Sequence, residues 1–251
     1  MKQAFVIYPH QLFDESPALE AVASNAGDIV VYLVEEPLLL THNPIHRQKL
    51  LLHKLSMDAY EKRLGEAGHE VIRLTIQEHQ NTTDVFARLK KDKVERMHIV
   101  DTTDNYLEQA IAKSGIERVW YESPLFILEK QDAIERFKTS KRFMASFYKK
   151  LRRDKQILVD ENNEPIGGKW SFDEDNRKKI PKGTELPEDI TFHENSEIDA
   201  AKEWVETVEA EKYGECQCWI PYTHEGAQKF LQEFLHTRFY TFGPYEDALT
   251  T

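Results

Sequence analysis

Ala4-Phe5-Val6-Ile7-Tyr8, closed by Pro9, is the run on which the fold turns. Five consecutive apolar residues ended by a proline read as a strand buried on both faces, as in a parallel sheet covered by helices. Working outward, Asp28 to Val34 is a second such run, rich in β-branched residues. Val71 to Leu74, His98 to Val100 and Arg118 to Tyr121 supply three more. Helical patterns fill the intervals. Ser16 and Pro17 suit the N-cap and first position of a short helix. From His46 to Glu66, Leu51, Leu55 and Ala59 recur every fourth residue, Lys49, Lys54 and Lys62 point elsewhere, and Gly65 and Gly68 mark the end. Thr83-Asp84 opens a helix towards Lys91, and Asp104 to Lys113 is another, stopped by Gly115. The alternation predicts an α/β fold: a five-stranded, parallel, doubly wound, Rossmann-like sheet in the order 3-2-1-4-5, with its switch point beside the first strand.

After Pro124 the pattern turns helical. Lys141 to Asp154 carries a stripe of Phe143, Phe147 and Leu151. Between Lys138 and Lys155 eight basic residues accompany one acid, Asp154. That run suits either a phosphate-facing surface or the solvated back of an amphipathic helix. Gly167-Gly168-Lys169-Trp170-Ser171-Phe172-Asp173-Glu174-Asp175-Asn176 onward to Pro181 is neither helix nor strand by pattern; its glycines and turn formers describe an ordered crossover pinned by Trp170 and Phe172. A helix is expected near Asp199 to Glu211 with Trp204 and Val208 inward, and a last one over Glu225 to Leu235 with Phe230 and Phe234 inward. No further strand of the buried kind is expected after Gly167. The domains read as 1–130, an α/β domain, and 131–251, a helical connector.

The 251 residues carry a formal net charge of −11, which opposes indiscriminate nucleic-acid binding. Cys216 and Cys218 are too few for a disulfide framework or a four-ligand zinc site. No signal peptide or membrane-length apolar run is visible, and a cytoplasmic location is expected. No metal site is expected.

In an open parallel sheet ligands bind beyond the carboxyl ends of the strands. That places Pro9-His10-Gln11, Glu35-Glu36 and Asp101 to Asp104 around a candidate site. No G-x-G-x-x-G and no P-loop is present, so a dinucleotide or nucleoside triphosphate site is not expected. The Gln11 amide can donate and accept at the edge of a heterocycle, and Glu35 can accept from a ring N–H or a ribityl hydroxyl. Capping of strand ends is the alternative for both. His10 reads as a loop histidine, and no catalytic residue is expected.

Several ordered motifs resemble one family. They are Tyr8-Pro9-His10-Gln11-Leu12, Val34-Glu35-Glu36-Pro37, His46-Arg47-Gln48-Lys49-Leu50, Phe143-Met144-Ala145-Ser146-Phe147-Tyr148, the Gly167 stretch and Phe242-Gly243-Pro244-Tyr245-Glu246-Asp247-Ala248. Together they resemble the photolyase-related proteins, the iron–sulfur bacterial branch of the photolyase/cryptochrome superfamily. The resemblance implies an amino-terminal antenna domain binding 6,7-dimethyl-8-ribityllumazine, with His10, Gln11 and Glu35 as cofactor-binding positions. Much of the family reads Gly-Asp-Gln-Leu where this chain reads Pro-His-Gln-Leu. FAD, a 4Fe-4S cluster and light-driven DNA repair or photoreception are implied for a carboxyl-terminal half. The chain is thus expected to be part of a longer protein, with DNA a partner of that parent and weak or no nucleic-acid binding here. A stand-alone interaction module without chromophore, dimerising through an exposed connector surface, is the alternative.

Overall fold

A computed structural model describes residues 2–25, 29–139, 143–175, 179–184 and 191–247. Two compact units emerge, one of Met1–Ile127 with Ile190–Gln228, the other of Leu128–Asp189 with Lys229–Thr251. In chain order the first contains β1 (Lys2–Ile7), α1 (Pro17–Asn25), β2 (Ile29–Val34), α2 (Pro37–Leu40), β3 (Ile45–His46) and α3 (Arg47–Glu66). It continues with β4 (Glu70–Leu74), α4 (Thr82–Lys91), β5 (Val94–Val100), α5 (Asn105–Lys113) and β6 (Glu117–Tyr121). The second begins with α6 (Lys130–Thr139) and α7 (Met144–Asp154); α8 (Ser196–Thr207) and β7 (Lys212–Tyr213) return to the first. The last helices are α9 (His224–Thr237) and α10 (Phe239–Tyr245).

The main sheet is parallel throughout, in the order β4-β2-β1-β5-β6. This is the order expected from the sequence, with β4, β5 and β6 as the third to fifth strands. Side chains alternate between the faces with period two. Val6, Tyr8, Tyr32 and Val34 pack with Val85, Phe86, Leu107 and Ile111 of α4 and α5. Phe5, Ile7, Val31 and Leu33 pack with Leu19 and Val22 of α1 and with Met57, Tyr60 and Leu64 of α3. Both faces are therefore covered, which is why the strands read as continuous apolar runs.

A third cluster extends this unit beyond the five-strand pattern. Leu50, Leu51 and Leu55 of α3 bury against Ile198, Ala201 and Val205 of α8, with Val208 and Cys218. The two-residue strands β3 and β7 pair in parallel, Ile45 with Lys212 and His46 with Tyr213; β7 follows the Gly167 stretch but is not of the buried kind, Lys212 being partly buried and Tyr213 exposed. The helix expected over Asp199 to Glu211 begins earlier and ends earlier. Asn195 caps its start, its side chain accepting from the Ile198 amide at 2.8 Å. Val208 leaves the helix in an extended conformation that turns its side chain into the α3 cluster. Trp204 is only partly buried.

Gly214 follows β7 with φ 74°, and a Cβ there would lie 1.9 Å from His46 Nε2. Gly214→Ala combines a left-handed backbone with a clash on the His46 ring, whose Nδ1 caps α3 at 3.1 Å. The substitution should cost about 2 kcal/mol in chemical denaturation; a loss under about 0.5 kcal/mol would show that the ring moves aside freely.

In the second unit, Trp170 lies under the Arg152 and Arg153 guanidiniums, at 5.0 and 4.5 Å. Arg152 also donates to the carbonyls of Ile157, Leu158 and Trp170, and Arg153 to that of Asn163. Two of the eight basic residues thus hold the crossover together, while Lys141 and Arg142 lie outside the described residues, as does the end of the Gly167 stretch at 176–178. In α7 the expected stripe is uneven: Leu151 is buried, but Phe143 just before the helix is 65% exposed. Phe230 does not point inward as expected; it is 39% exposed, with Arg238 over its ring. Phe234 is partly covered, by Phe239 and Phe242 of α10.

Candidate functional site

The loop after β1 is built around Gln11. Its Oε1 accepts from the Tyr8 amide at 3.4 Å, and its Nε2 donates to the carbonyls of Val100 and Asp101 at 3.0 and 3.2 Å. The amide bridges β1 to the end of β5, the two strands that part at the switch point, and its polar atoms serve the fold. Glu35 is likewise engaged. Its carboxylate accepts from Arg73 Nη2 at 2.7 Å, Arg73 Nε at 3.0 Å and the Ile76 amide at 2.8 Å. The three residues named from the sequence therefore gather at one sheet edge, but Gln11 and Glu35 spend their hydrogen bonds on strand ends. His10 differs. Its Nε2 lies 2.9 Å from the Thr102 carbonyl and must donate, so Nδ1 is a bare acceptor with no partner among the described residues.

Beside this loop opens a cavity of about 910 Å3, lined by Pro9 and Leu12, by the length of α3, by the start of α8 and by residues 221–227. Leu52, Leu55, Ala59 and Tyr60 supply apolar and aromatic surface. Two imidazoles stand in the wall. His224 Nε2 donates to the Leu12 carbonyl at 2.8 Å, leaving Nδ1 as an acceptor. His53 donates to the Pro9 carbonyl, and burial, with Lys49 and His10 nearby, pushes its pKa down to about 4. Both rings hang from carbonyls of the β1 loop. Tyr60 packs on His224, ring centroids 5.7 Å apart, and burial lifts its hydroxyl to about 12.

On the other face of the sheet the same edge holds an enclosed polar group. Tyr8 Oη, Glu36 Oε2 and Thr102 Oγ1 are buried without partners among the described residues. Glu36 Oε1 accepts from the Thr82 hydroxyl and caps α2 through the Leu38 amide. Burial raises its pKa, with Asp104 adding to the shift. Tyr8 is raised well above the usual tyrosine value, first by burial and then by Glu36. An unpartnered buried polar atom costs about 1–3 kcal/mol, so such a group at a strand end is a candidate place for a ligand or water.

Sequence reasoning stopped one residue short at Glu35-Glu36. Alternation past β2 sends Glu35 towards Arg73 and Glu36 to the face of α4. His53 carried a signal, a histidine between Leu52 and Leu55 on the inner side of α3. His224, Tyr8 and Thr102 carried none that distinguishes a site residue from a loop or core residue. Among the described residues no group of three or more His, Cys, Asp or Glu could hold a metal ion, and no helix is long and apolar enough to cross a membrane.

The fold and its edge define a doubly wound α/β protein with a cavity beside the first loop and no phosphate-binding glycine loop. The chain belongs to the deoxyribodipyrimidine photo-lyase-related protein family, which it matches over residues 5–219. An uncharacterized protein of Acanthamoeba polyphaga mimivirus is 32% identical over 197 residues, 72% of this chain and 96% of that protein. A (6-4) photolyase of Agrobacterium fabrum is 27% identical over 110 residues, 42% of this chain and 21% of the photolyase. This is a photolyase-like protein.

Proposed function

We propose that the chain holds a light-harvesting antenna chromophore, 6,7-dimethyl-8-ribityllumazine or a flavin-like heterocycle, as the antenna domain of a photolyase or cryptochrome-like flavoprotein. The observation that carries this reading is the cavity of about 910 Å3 at the carboxyl end of β1, within the range of small-molecule sites, roughly 300–1,000 Å3. Its aromatic and aliphatic surface suits a flat ring. The His224 Nδ1, left as an acceptor because Nε2 donates to the Leu12 carbonyl, suits a ring N–H or hydroxyl donor. When bound, such a group absorbs light and passes the excitation to a flavin; the residues here orient it and exclude water. FAD, a 4Fe-4S cluster and DNA belong to the same proposal for a longer photolyase-like protein. DNA is not proposed as a partner of these residues alone, since the chain is acidic and Arg152 and Arg153 are tied to the crossover.

Fluorescence titration with the ribityllumazine tests the reading. Saturable binding is expected, and Ala200→Trp, which fills the cavity from its rim, should weaken it tenfold or more without lowering the melting temperature. An unmodified chain that never quenches or shifts the chromophore would remove the antenna role. A second reading, an interaction module acting without a flavin-binding half, is favoured by the mimiviral relative, nearly all of which aligns within this chain. A dimer in light scattering with no chromophore binding would select it.

A further inference from the structure

We propose that the groove between α4 and α5 is a binding site for a small aromatic phosphate monoester, separate from the cavity beside the β1 loop. This goes beyond the antenna reading and does not depend on it.

A cavity of about 470 Å3 lies between the two helices, within the range of small-molecule sites, roughly 300–1,000 Å3. Both helices pack on the same face of the main sheet, the face opposite α3. The groove shares no lining residue with the cavity beside the β1 loop.

Charge points to the ligand. The groove is lined by Lys90 and Lys113, from the last turns of α4 and α5, and by no carboxylate. In a chain of net charge −11 that is a local reversal of sign. Among the described residues neither ammonium has an ion-pair partner. Acids of the same segment are engaged elsewhere: Asp84 accepts from the amides of Gln80 and Asn81 at 3.0 and 3.3 Å, and Asp92 from Arg88 at 2.9 Å. Lys90 reaches across from α4, its Nζ 3.6 Å from where a Cβ on Gly115 would stand, just past α5. Both ammoniums therefore belong to one end of the groove. Lysines there also balance the helix dipoles, but each helix end carries only about half a negative charge. Two helices offset about one of the two positive charges and leave about one in excess. Ser114 adds a donor at the same end. It is 6% exposed, its Oγ accepts from the Ile116 amide at 3.2 Å, and its proton has no acceptor among the described residues. An anion here meets two ammoniums and a hydroxyl. A phosphate monoester matches them with three acceptor oxygens and about two negative charges near neutral pH; a carboxylate has two oxygens and one charge.

The rest of the groove suits a flat ring. Phe86 is 4% exposed in its wall, and Ala87 and Ala110 are small enough to leave width between the helices. Tyr106, in the first turn of α5, lines the same groove and is 72% exposed, a ring free to stack on a ligand.

Calorimetric titration at low ionic strength with phenyl phosphate, inorganic phosphate, phenol and benzoate tests the proposal. Phenyl phosphate is expected to bind one to one, tenfold or more tightly than any of the other three. Lys90→Gln and Lys113→Gln should each weaken it about tenfold. Tyr106→Ala should weaken it severalfold while leaving inorganic phosphate unchanged. All three positions are exposed, so melting temperatures should hold. Ala200→Trp, which fills the other cavity, should have no effect. Inorganic phosphate or benzoate binding as tightly as phenyl phosphate would overturn the proposal, as would phenyl phosphate affinity unchanged in both lysine variants, or no binding at all. Polyglutamate bound through Lys90 and Lys113 where phenyl phosphate is not would overturn it in favour of an acidic protein partner. None of these failures touches the antenna reading, which rests on the other cavity and on the ribityllumazine titration.

Discussion

Arg73→Met is expected to destabilise the protein by about 3–5 kcal/mol, because it strands a buried carboxylate. Glu35 is 2% exposed and the Arg73 side chain 11%. The pair sits on adjacent parallel strands, Arg73 in β4 and Glu35 just past β2, whose ends are tied by the Glu35 amide to the Leu74 carbonyl at 2.9 Å. Both Nε and Nη2 of Arg73 bond one carboxylate oxygen, while the Ile76 amide takes the other. Glu61 at 3.4 Å and Asp58 at 3.7 Å add partly exposed anions around the guanidinium. Removing the cation leaves Glu35 desolvated among like charges. The measurement is urea denaturation followed by circular dichroism, with the midpoint falling and the slope unchanged. The double change Glu35→Leu with Arg73→Met should recover most of the loss, since the pair's mutual attraction largely offsets its own desolvation. A single-variant loss below about 1 kcal/mol, the scale of an exposed ion pair, would mean that water reaches Glu35.

The second large effect is on pH dependence. His53 has a folded pKa of about 4, against 6.5 for an unperturbed histidine. Below pH 6.5 the unfolded chain takes a proton that the folded chain refuses. The contribution of neutral His53 is thus complete above that pH and drains away as pH falls towards 4. The gap corresponds to about 3 kcal/mol. Burial also lowers His10, His79 and His98, so they act with the same sign. The His53 share is isolated by comparing stability of the unmodified chain and His53→Gln at pH 7 and at pH 4.5. The glutamine can still donate to the Pro9 carbonyl but does not titrate, so its stability should fall distinctly less on acidification. Equal falls in the two proteins would place the acid sensitivity on other groups.

The sheet was legible because its physics is local. Ala4 to Tyr8 and Ile29 to Val34 are buried on both faces, so burial writes itself as unbroken apolar runs, and helical spacing between them fixes the crossovers. Strand order followed from handedness and alternation. The helix ends were legible where a cap shows, as with Asp104 before α5 or Gly68 after α3. Cases decided by distant partners were not. Helix α8 ends at Thr207 because Val208 is drawn into the cluster on α3, a surface some 150 residues away in sequence. The pairing of β3 with β7 spans a similar gap and leaves no periodicity in two residues.

For the candidate site, the sequence pointed to a neighbourhood: the ends of the first, second and fourth strands of the pattern, with His10, Gln11 and Glu35 in it. Residue type and topology suffice for that, because parallel strands bring their carboxyl ends to one edge whatever their side chains do. Which polar atom remains available is a different question, and its answer is a subtraction. Gln11 is consumed by the carbonyls of Val100 and Asp101, and Glu35 by Arg73. Among the described residues Glu36 Oε2, Tyr8 Oη, Thr102 Oγ1 and His10 Nδ1 are left over, and His53 and His224 are turned towards a cavity by carbonyls of a loop more than 40 residues from His53 and more than 200 from His224. Chain chemistry names every group that could bind; the three-dimensional pairing of donors with acceptors, in a desolvated edge where each partner counts, settles which of them are spoken for.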